Sequence, residues 1–407
     1  MAKKWNKTEV LVGLVVLGIG AVILGVAGLW IYVSATAIPL HPTAQDVRSE
    51  SQAAPGENWA EAAERARQIV RAGVSEQNLP GVSVAVGIGD EIVWAEGFGF
   101  ADIGQKSPVT PATKFRIGTL SIPLTAAGAG LLIEKQLLNL DEKIQAYVPE
   151  FQEQRWPVTV RQLMAHTAGI GNDSGDEGPL FGQHCDRPVE ALPFIDGREL
   201  RFEPGTQYSY SRFSYILISA AIESAGDDPF LAFMQKHVFD PLGMNDTLPD
   251  SITDAIPNRA TSYFPRFAAD PKYGPDVMRE LDLSCYAGSS IFLSTASDLA
   301  RFAMALNNGR LLKPATVKLL QDPQRLTTGA ETGYGLGWDL ENVTLNGQPV
   351  TIVGHDGDAL GGILGSLMVF RDRDMVVALI SNTSYADTPS LALKVAEIFA
   401  PQDATQR

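Results

Sequence analysis

The stretch Phe115-Arg116-Ile117-Gly118-Thr119-Leu120-Ser121-Ile122-Pro123-Leu124-Thr125 runs directly into Ala126-Ala127-Gly128-Ala129-Gly130-Leu131-Leu132. Small and aliphatic residues dominate it, and no charge follows Arg116 until Glu134. Pro123 falls in what would be a first helical turn, where its missing N–H costs nothing. The pattern predicts a strand end or turn feeding a helix that is apolar on every side. Such a helix belongs at the centre of a domain rather than on its surface.

The rest of the chain bounds what that domain can be. Its 407 residues, 45% of them hydrophobic, suffice for one large domain or two small ones with a substantial core. A formal net charge of −15, with no cluster of lysines and arginines, argues against a nucleic-acid partner and reads as a solubility device. Cys185 and Cys285 could pair in an oxidising compartment or be two unrelated buried thiols in a reducing one. The five histidines, His41, His166, His184, His237 and His355, form no His-x-x-x-His pair, so neither a metal site nor a cofactor is expected. Gly87-x-Gly89 lacks the third glycine of a dinucleotide loop and is followed by a strand pattern, which rules that reading out.

From Val10 to Val33 every residue is apolar or glycine apart from Trp30 and Tyr32. At ~1.5 Å rise per residue this run can span a hydrocarbon core of ~30 Å. Lys3, Lys4 and Lys7 precede it, so the positive-inside rule puts residues 1–9 in the cytoplasm and everything after Ser34 outside. Ala35-Thr36-Ala37 supplies a cleavage-like pattern, but a secretory h-region is usually ~7–15 residues long, and an uncleaved signal anchor over 10–33 is the expectation. This predicts a single-pass protein of the inner or plasma membrane, with its C-terminal part on the periplasmic or extracellular side. Residues 34–58, rich in Pro, Ser, Ala and Gln without periodicity, read as a spacer, 59–401 as the folded domain and 402–407 as a tail.

Within the domain, Ala60 to Gln77 has helical spacing, and Val82–Val86 and Ile92–Glu96 flank a hairpin turn. Gly171 to Asp196 is an aperiodic loop near the site mouth, and Tyr215–Ala225 and Pro229–Phe239 read as helices. Val350–Gly354, Gly365–Phe370 and Met375–Ser381 read as strands before a closing helix, Ser390–Phe399. Strands at both ends with helices between them predict an α+β domain: one antiparallel sheet built from both termini, with a helical region inserted.

Several stretches resemble the serine β-lactamase-related proteins, the group of class C β-lactamases, penicillin-binding DD-peptidases and related esterases. The opening stretch resembles that family's F-R-I-G-S-x-S-K-P-L-T segment. Val158-Thr159-Val160-Arg161-Gln162-Leu163-Met164-Ala165-His166-Thr167-Ala168-Gly169 resembles its T-x-R-x-L-L-x-H-T-S-G. Leu293–Phe302 and Gly333-Tyr334-Gly335-Leu336-Gly337-Trp338 resemble two more family elements. The resemblance covers about Ala60 to Ala400 and implies a β-lactamase/transpeptidase-like fold.

It also implies where the site lies. In this family a Ser-x-x-Lys pair supplies nucleophile and base, because a serine hydroxyl near neutral pH needs a neighbour to take its proton. Here Thr119 stands at the serine position and Ile122 at the lysine position. The Tyr-x-Asn motif becomes Tyr210-Ser211-Arg212, keeping the phenol and replacing the asparagine. The His-x-Gly motif of the esterase-like branch is intact as His355-Asp356-Gly357. Ser121 faces a different side of the helix from Thr119 and is a poor substitute nucleophile. His166 is expected to fix a loop rather than to catalyse.

Two functions follow from different classes. The first is a membrane-anchored pseudoenzyme in which Thr119, Tyr210 and His355 keep their places without the chemistry. Ile122, Arg212 and Gly357 then belong to a pocket for a ligand, and Arg212 could grip a carboxylate of a peptide or cell-wall stem; a protein partner is the other possibility. The second is a hydrolase, an esterase, DD-peptidase or β-lactamase-like enzyme, that uses Thr119 as nucleophile with Tyr210 and His355. No Gly-x-Ser-x-Gly elbow offers another serine.

Overall fold

A computed structural model of the chain describes residues 7–51, 54–171, 179–195, 199–267, 270–359 and 362–400. The basic residues Lys3 and Lys4, part of the 171–196 loop and the 402–407 tail lie outside these residues.

The sheet is built on period-two burial. The strands along its main path are β1 (Ser49–Ser51), β2 (Gly81–Ile88), β3 (Glu91–Asp102), β4 (Asp339–Leu345), β5 (Gln348–Ala359), β6 (Gly362–Phe370) and β7 (Met375–Ser381), and the short Ser107–Pro108 adds to β3 off that path. They lie in the order β1-β3-β2-β7-β6-β5-β4, every pairing antiparallel. The two ends of the domain meet at its centre, where Ile88 faces Met375 and Val82 faces Ser381. Val82, Val84 and Val86 enter one core with Met375, Val377 and Leu379, while Ala85 enters a second core with Val376, Ala378 and Ile380. Both faces are covered, so these strands read as continuous apolar runs.

Among the helices are α1 (Lys7–Ala35), α2 (Ala60–Glu76), α3 (Ser121–Glu134), α4 (Arg212–Gly226), α5 (Ala296–Asn307) and α6 (Thr388–Phe399). Helix α2 buries Ala63, Ala66, Val70 and Val74 beside α6 in the first core. Helix α5 covers the other face, with Phe302 stacked on Trp338 at 6.1 Å between centroids. Helix α3 is the predicted central helix: of its 14 residues only Leu131, Ile133 and Glu134 are not buried. Its Thr125 hydroxyl donates to Gly288 O at 2.8 Å, which satisfies a polar group that burial would otherwise penalise. In α1, residues Leu11–Ala35 are long and apolar enough to cross a membrane.

Four sequence readings need revision. Residues 34–58 are not a free spacer. Leu40 N–H donates to Asn78 Oδ1 at 2.7 Å, Asn78 Nδ2 donates to Ile38 O at 2.8 Å, and the buried His41 stacks on Phe100 at 5.3 Å. Ser49–Ser51 then pairs with β3. Polar composition suggested solvent, but these polar groups have fixed partners. Strand β5 runs to Ala359 rather than stopping at Gly354, so His355-Asp356-Gly357 lies within a strand. The helix expected from Tyr215 begins at Arg212, which places that arginine in its first turn. Strand β4 escapes detection because most of its residues are polar and exposed at the sheet edge. The open question of the cysteines is resolved by a Cys185–Cys285 disulfide with Cα atoms 4.9 Å apart.

Candidate active site

Gly118–Leu120 make a single 3-10 turn ahead of α3, and β5 crosses directly over it. Two glycines permit that approach. Gly118 has φ +52°, and a Cβ there would fall 2.1 Å from Asp358 O; a Cβ at Gly357 would fall 2.5 Å from Ile117 O. Thr119 is therefore only 1% exposed. Its hydroxyl donates to Asp356 O at 3.0 Å and accepts the Asp358 N–H at 2.8 Å. The proton that a nucleophile must surrender points at a neutral amide carbonyl, which cannot act as a base.

Ile122 is fully buried three residues further on, with Cγ2 3.6 Å from where a Cβ on Gly337 would sit. A hydrocarbon stands where the chemistry requires a proton acceptor. Ser121 is buried as well, and its oxygen accepts the Phe292 N–H at 3.4 Å, away from Thr119.

Tyr210 is half-buried, and its hydroxyl oxygen is sealed from solvent without a hydrogen-bond partner of good geometry among the described residues. Burial pushes the phenol well above its usual range; the nearby Thr119 hydroxyl and Arg212 guanidinium pull the other way without offsetting this. A tyrosinate at that position is unfavourable. Arg212 is half-buried, with its guanidinium carbon 5.3 Å above the Tyr286 ring.

Behind Tyr210 lies a polar relay. His166 takes a positive φ of +54° and is buried. Its Nδ1 accepts the Ser211 N–H at 3.3 Å, so the neutral ring carries its proton on Nε2, which faces the Tyr334 hydroxyl at 3.2 Å. Tyr334 is then free to donate to His355 Nε2 at 3.3 Å, and His355 Nδ1 donates to Asp356 O at 2.6 Å. One set of protons satisfies the whole chain. Burial, with His355 nearby, pushes His166 down to about 3, which keeps it neutral. Burial also raises the Asp356 carboxyl, although the Ser366 hydroxyl donates to it at 2.6 Å.

The structure thus gathers Thr119, Ile122, Tyr210, His355 and Gly357 around the start of α3, with Arg212 two residues beyond Tyr210 in the first turn of α4. Sequence reasoning gave Tyr334 no role, although it links the two histidines. It was visible within the Gly333–Trp338 element, where an aromatic hydroxyl among glycines is an unusual choice.

The chain belongs to the beta-lactamase family, whose model matches residues 66–399. It is 28% identical over 319 residues to penicillin-binding protein 4* of Bacillus subtilis (strain 168), covering 76% of this chain and 70% of that protein. It is 26% identical over 440 residues to the serine beta-lactamase-like protein LACTB, mitochondrial, of Homo sapiens, covering 83% and 80%. The D-amino acid amidase of Ochrobactrum anthropi SV3 superposes with a TM-score of 0.70 at 24% identity, covering 83% of this chain and 98% of that one. That structural likeness speaks for the fold alone.

Proposed function

We propose that this protein is a catalytically impaired member of its family, held to a membrane by α1, whose domain binds a ligand or a protein partner instead of hydrolysing a substrate. One observation carries the reading: the Thr119 hydroxyl proton is given to the Asp356 carbonyl while its oxygen accepts the Asp358 N–H, and the base position beside it is the buried Ile122. Removing a general base typically costs ~10²–10⁴ in rate, and groups that act as a unit lose more together. Tyr210 does not replace it, since burial favours the neutral phenol. A peptide or cell-wall-like ligand is the class that the family's site geometry suggests. To reach Thr119 it would have to displace the β5 backbone. The disulfide fits a domain outside the reducing cytosol.

A second reading retains hydrolysis by Thr119. The Asp358 N–H, 2.8 Å from the threonine oxygen, is the kind of donor that holds a developing oxyanion, and relatives of this chain bear hydrolase names.

Covalent labelling separates the two. A fluorophosphonate and a penicillin are incubated with the protein, with Thr119→Ala and with a Thr119→Ser/Ile122→Lys double variant, and intact masses are read. An unmodified wild type beside a labelled double variant supports the impaired site. An adduct on the wild type that Thr119→Ala abolishes sinks it.

A further inference from the structure

The end of α1 does not leave the domain hanging. Tyr32, in its last turn, packs edge-on against Phe267 with centroids 6.1 Å apart. Arg266 Nη1 donates to Thr36 O at 2.8 Å, and Ile38 N–H donates to Tyr273 O at 3.4 Å. Phe267 and Tyr273 belong to one antiparallel hairpin, whose strands are Tyr263–Pro265 and Pro275–Val277. Gly274, with φ +99°, lets Ile38 lie against its turn: a Cβ there would fall 3.1 Å from Ile38 Cβ.

The other side of this hairpin is fixed to the domain. Tyr263 N–H donates to Asn382 O at 2.7 Å, the Tyr263 hydroxyl accepts the Ile103 N–H at 2.8 Å, and Phe264 meets Tyr385 edge-on at 5.6 Å. The hairpin therefore touches the end of the helix on one side and the domain on the other.

Height follows from the helix. The predominantly apolar 25-residue stretch Leu11–Ala35 spans more than the ~30 Å of hydrocarbon at ~1.5 Å per residue, so its last turn reaches the headgroup level. Phe267 touches that turn and is still 36% exposed, and Ile38 beside it is 47% exposed. Arg266 lies over the Phe267 ring at 5.0 Å, and Lys272 over the Tyr273 ring at 4.8 Å. Aromatic bodies with cationic tips are the side chains that settle at a bilayer surface.

We propose that this hairpin is a second membrane contact: Phe267, Tyr273 and Ile38 enter the lipid headgroup region beside α1, and the domain rests on the bilayer in one orientation. The proposal rests on the reading of α1 as a membrane span. The occupant is the lipid surface itself, recognised by apolar and aromatic burial rather than by charge. Lys272 is paired with Asp270 at 2.6 Å, Arg266 is engaged by Thr36 O, and Asp276 on the same hairpin adds a further negative charge.

The native cysteines are disulfide-bonded, so an introduced thiol can be labelled selectively. Phe267→Cys, Ile38→Cys and, as a remote control, Glu153→Cys in the full chain carry an environment-sensitive fluorophore. Each is reconstituted in phosphatidylcholine vesicles, with or without lipid spin-labelled near the headgroup end of its acyl chain. The labels at 267 and 38 are expected to shift to the blue and to lose at least half their emission to the quenching lipid. The control should stay water-like, and added phosphatidylglycerol should change little. Adding Phe267→Glu to the Ile38→Cys chain should reduce its quenching at least twofold. Water-like labels on a chain that resists carbonate extraction would overturn the hairpin contact and leave the span intact. A chain that carbonate extracts would overturn the span. Blue-shifted labels that lipid does not quench, and that respond to the protein-to-lipid ratio, would assign the face to a second copy and refute the proposal.

Discussion

His166 and Tyr210 lie with ring centroids 4.4 Å apart, and the histidine holds the tyrosine's chain segment from both sides. Its carbonyl accepts the Ser209 N–H at 2.9 Å and its Nδ1 accepts the Ser211 N–H. His166 therefore acts as a clamp on the segment that presents Tyr210. His166→Ala leaves a void and an unpaired Ser211 N–H, and is expected to lower unfolding stability by about 2–4 kcal/mol, read as a fall in the urea midpoint.

The same residue gives the domain an acid sensitivity. With its folded value near 3 and an ordinary unfolded value of 6.5, His166 takes up a proton on unfolding but not in the native state between those limits. Stability is then lost as pH falls from about 6.5 towards 3, by up to about 1.4 kcal/mol per pH unit. His41, also lowered by burial, acts in the same direction. His166→Gln should flatten the slope of stability against pH between 6 and 4 by up to one proton; an unchanged slope would place the titration elsewhere.

Two tyrosines at the site should respond oppositely to loss of their hydroxyls. Tyr334 bridges two histidines, so Tyr334→Phe takes the hydrogen-bond partner from the Nε2 of each and is expected to cost about 1–3 kcal/mol. The Tyr210 oxygen is buried without a well-formed hydrogen bond among the described residues, so Tyr210→Phe should be neutral or stabilise slightly. A comparison of Tm values tests both, and a large loss for Tyr210→Phe would mean that the hydroxyl has a role the geometry does not show.

Gly118→Ala places a methyl within 2.1 Å of a backbone oxygen at a positive φ, and no flexible side chain can yield to it. A cost of about 2–4 kcal/mol is expected from strain and overpacking. If the variant is instead as stable as the parent, β5 lifts readily from Thr119, and the site is less sealed than the hydrogen bonds indicate.

The disulfide closes a loop over a sequence separation of 100. Loop-entropy estimates put such a cross-link at up to about 5 kcal/mol, with measured effects commonly lower. Cys185→Ser/Cys285→Ser should unfold at a lower urea concentration than the parent, and a reducing agent should produce the same shift only in the parent.

Much of this was legible in the sequence, for reasons that differ by element. The apolar, glycine-rich run after Thr119 could be nothing but a central helix, and the terminal strands announced themselves through valine and alanine. Thr119 and Ile122 could be placed because they stand in a frame of recognisable neighbours. The attachment of 34–58 was hidden because it rests on single contacts such as Asn78 to Ile38 and Leu40, which have no periodicity. The sealing of Thr119 was hidden too. It depends on how closely β5 approaches a glycine more than two hundred residues away, a tertiary distance that no local pattern records.

The pairing of β2 with β7 has a consequence for how the molecule is made. Val82 cannot meet Ser381 until the roughly three hundred residues between them have been made. Until then the valine-rich β2–β3 hairpin waits with an open edge, while α1, which precedes it in the chain, is already complete. Non-local closure of this kind is slow, and unpaired strand edges invite association between chains. The half-made chain thus carries an unpaired strand edge until β7 exists, and association through that edge is the hazard built into the strand order.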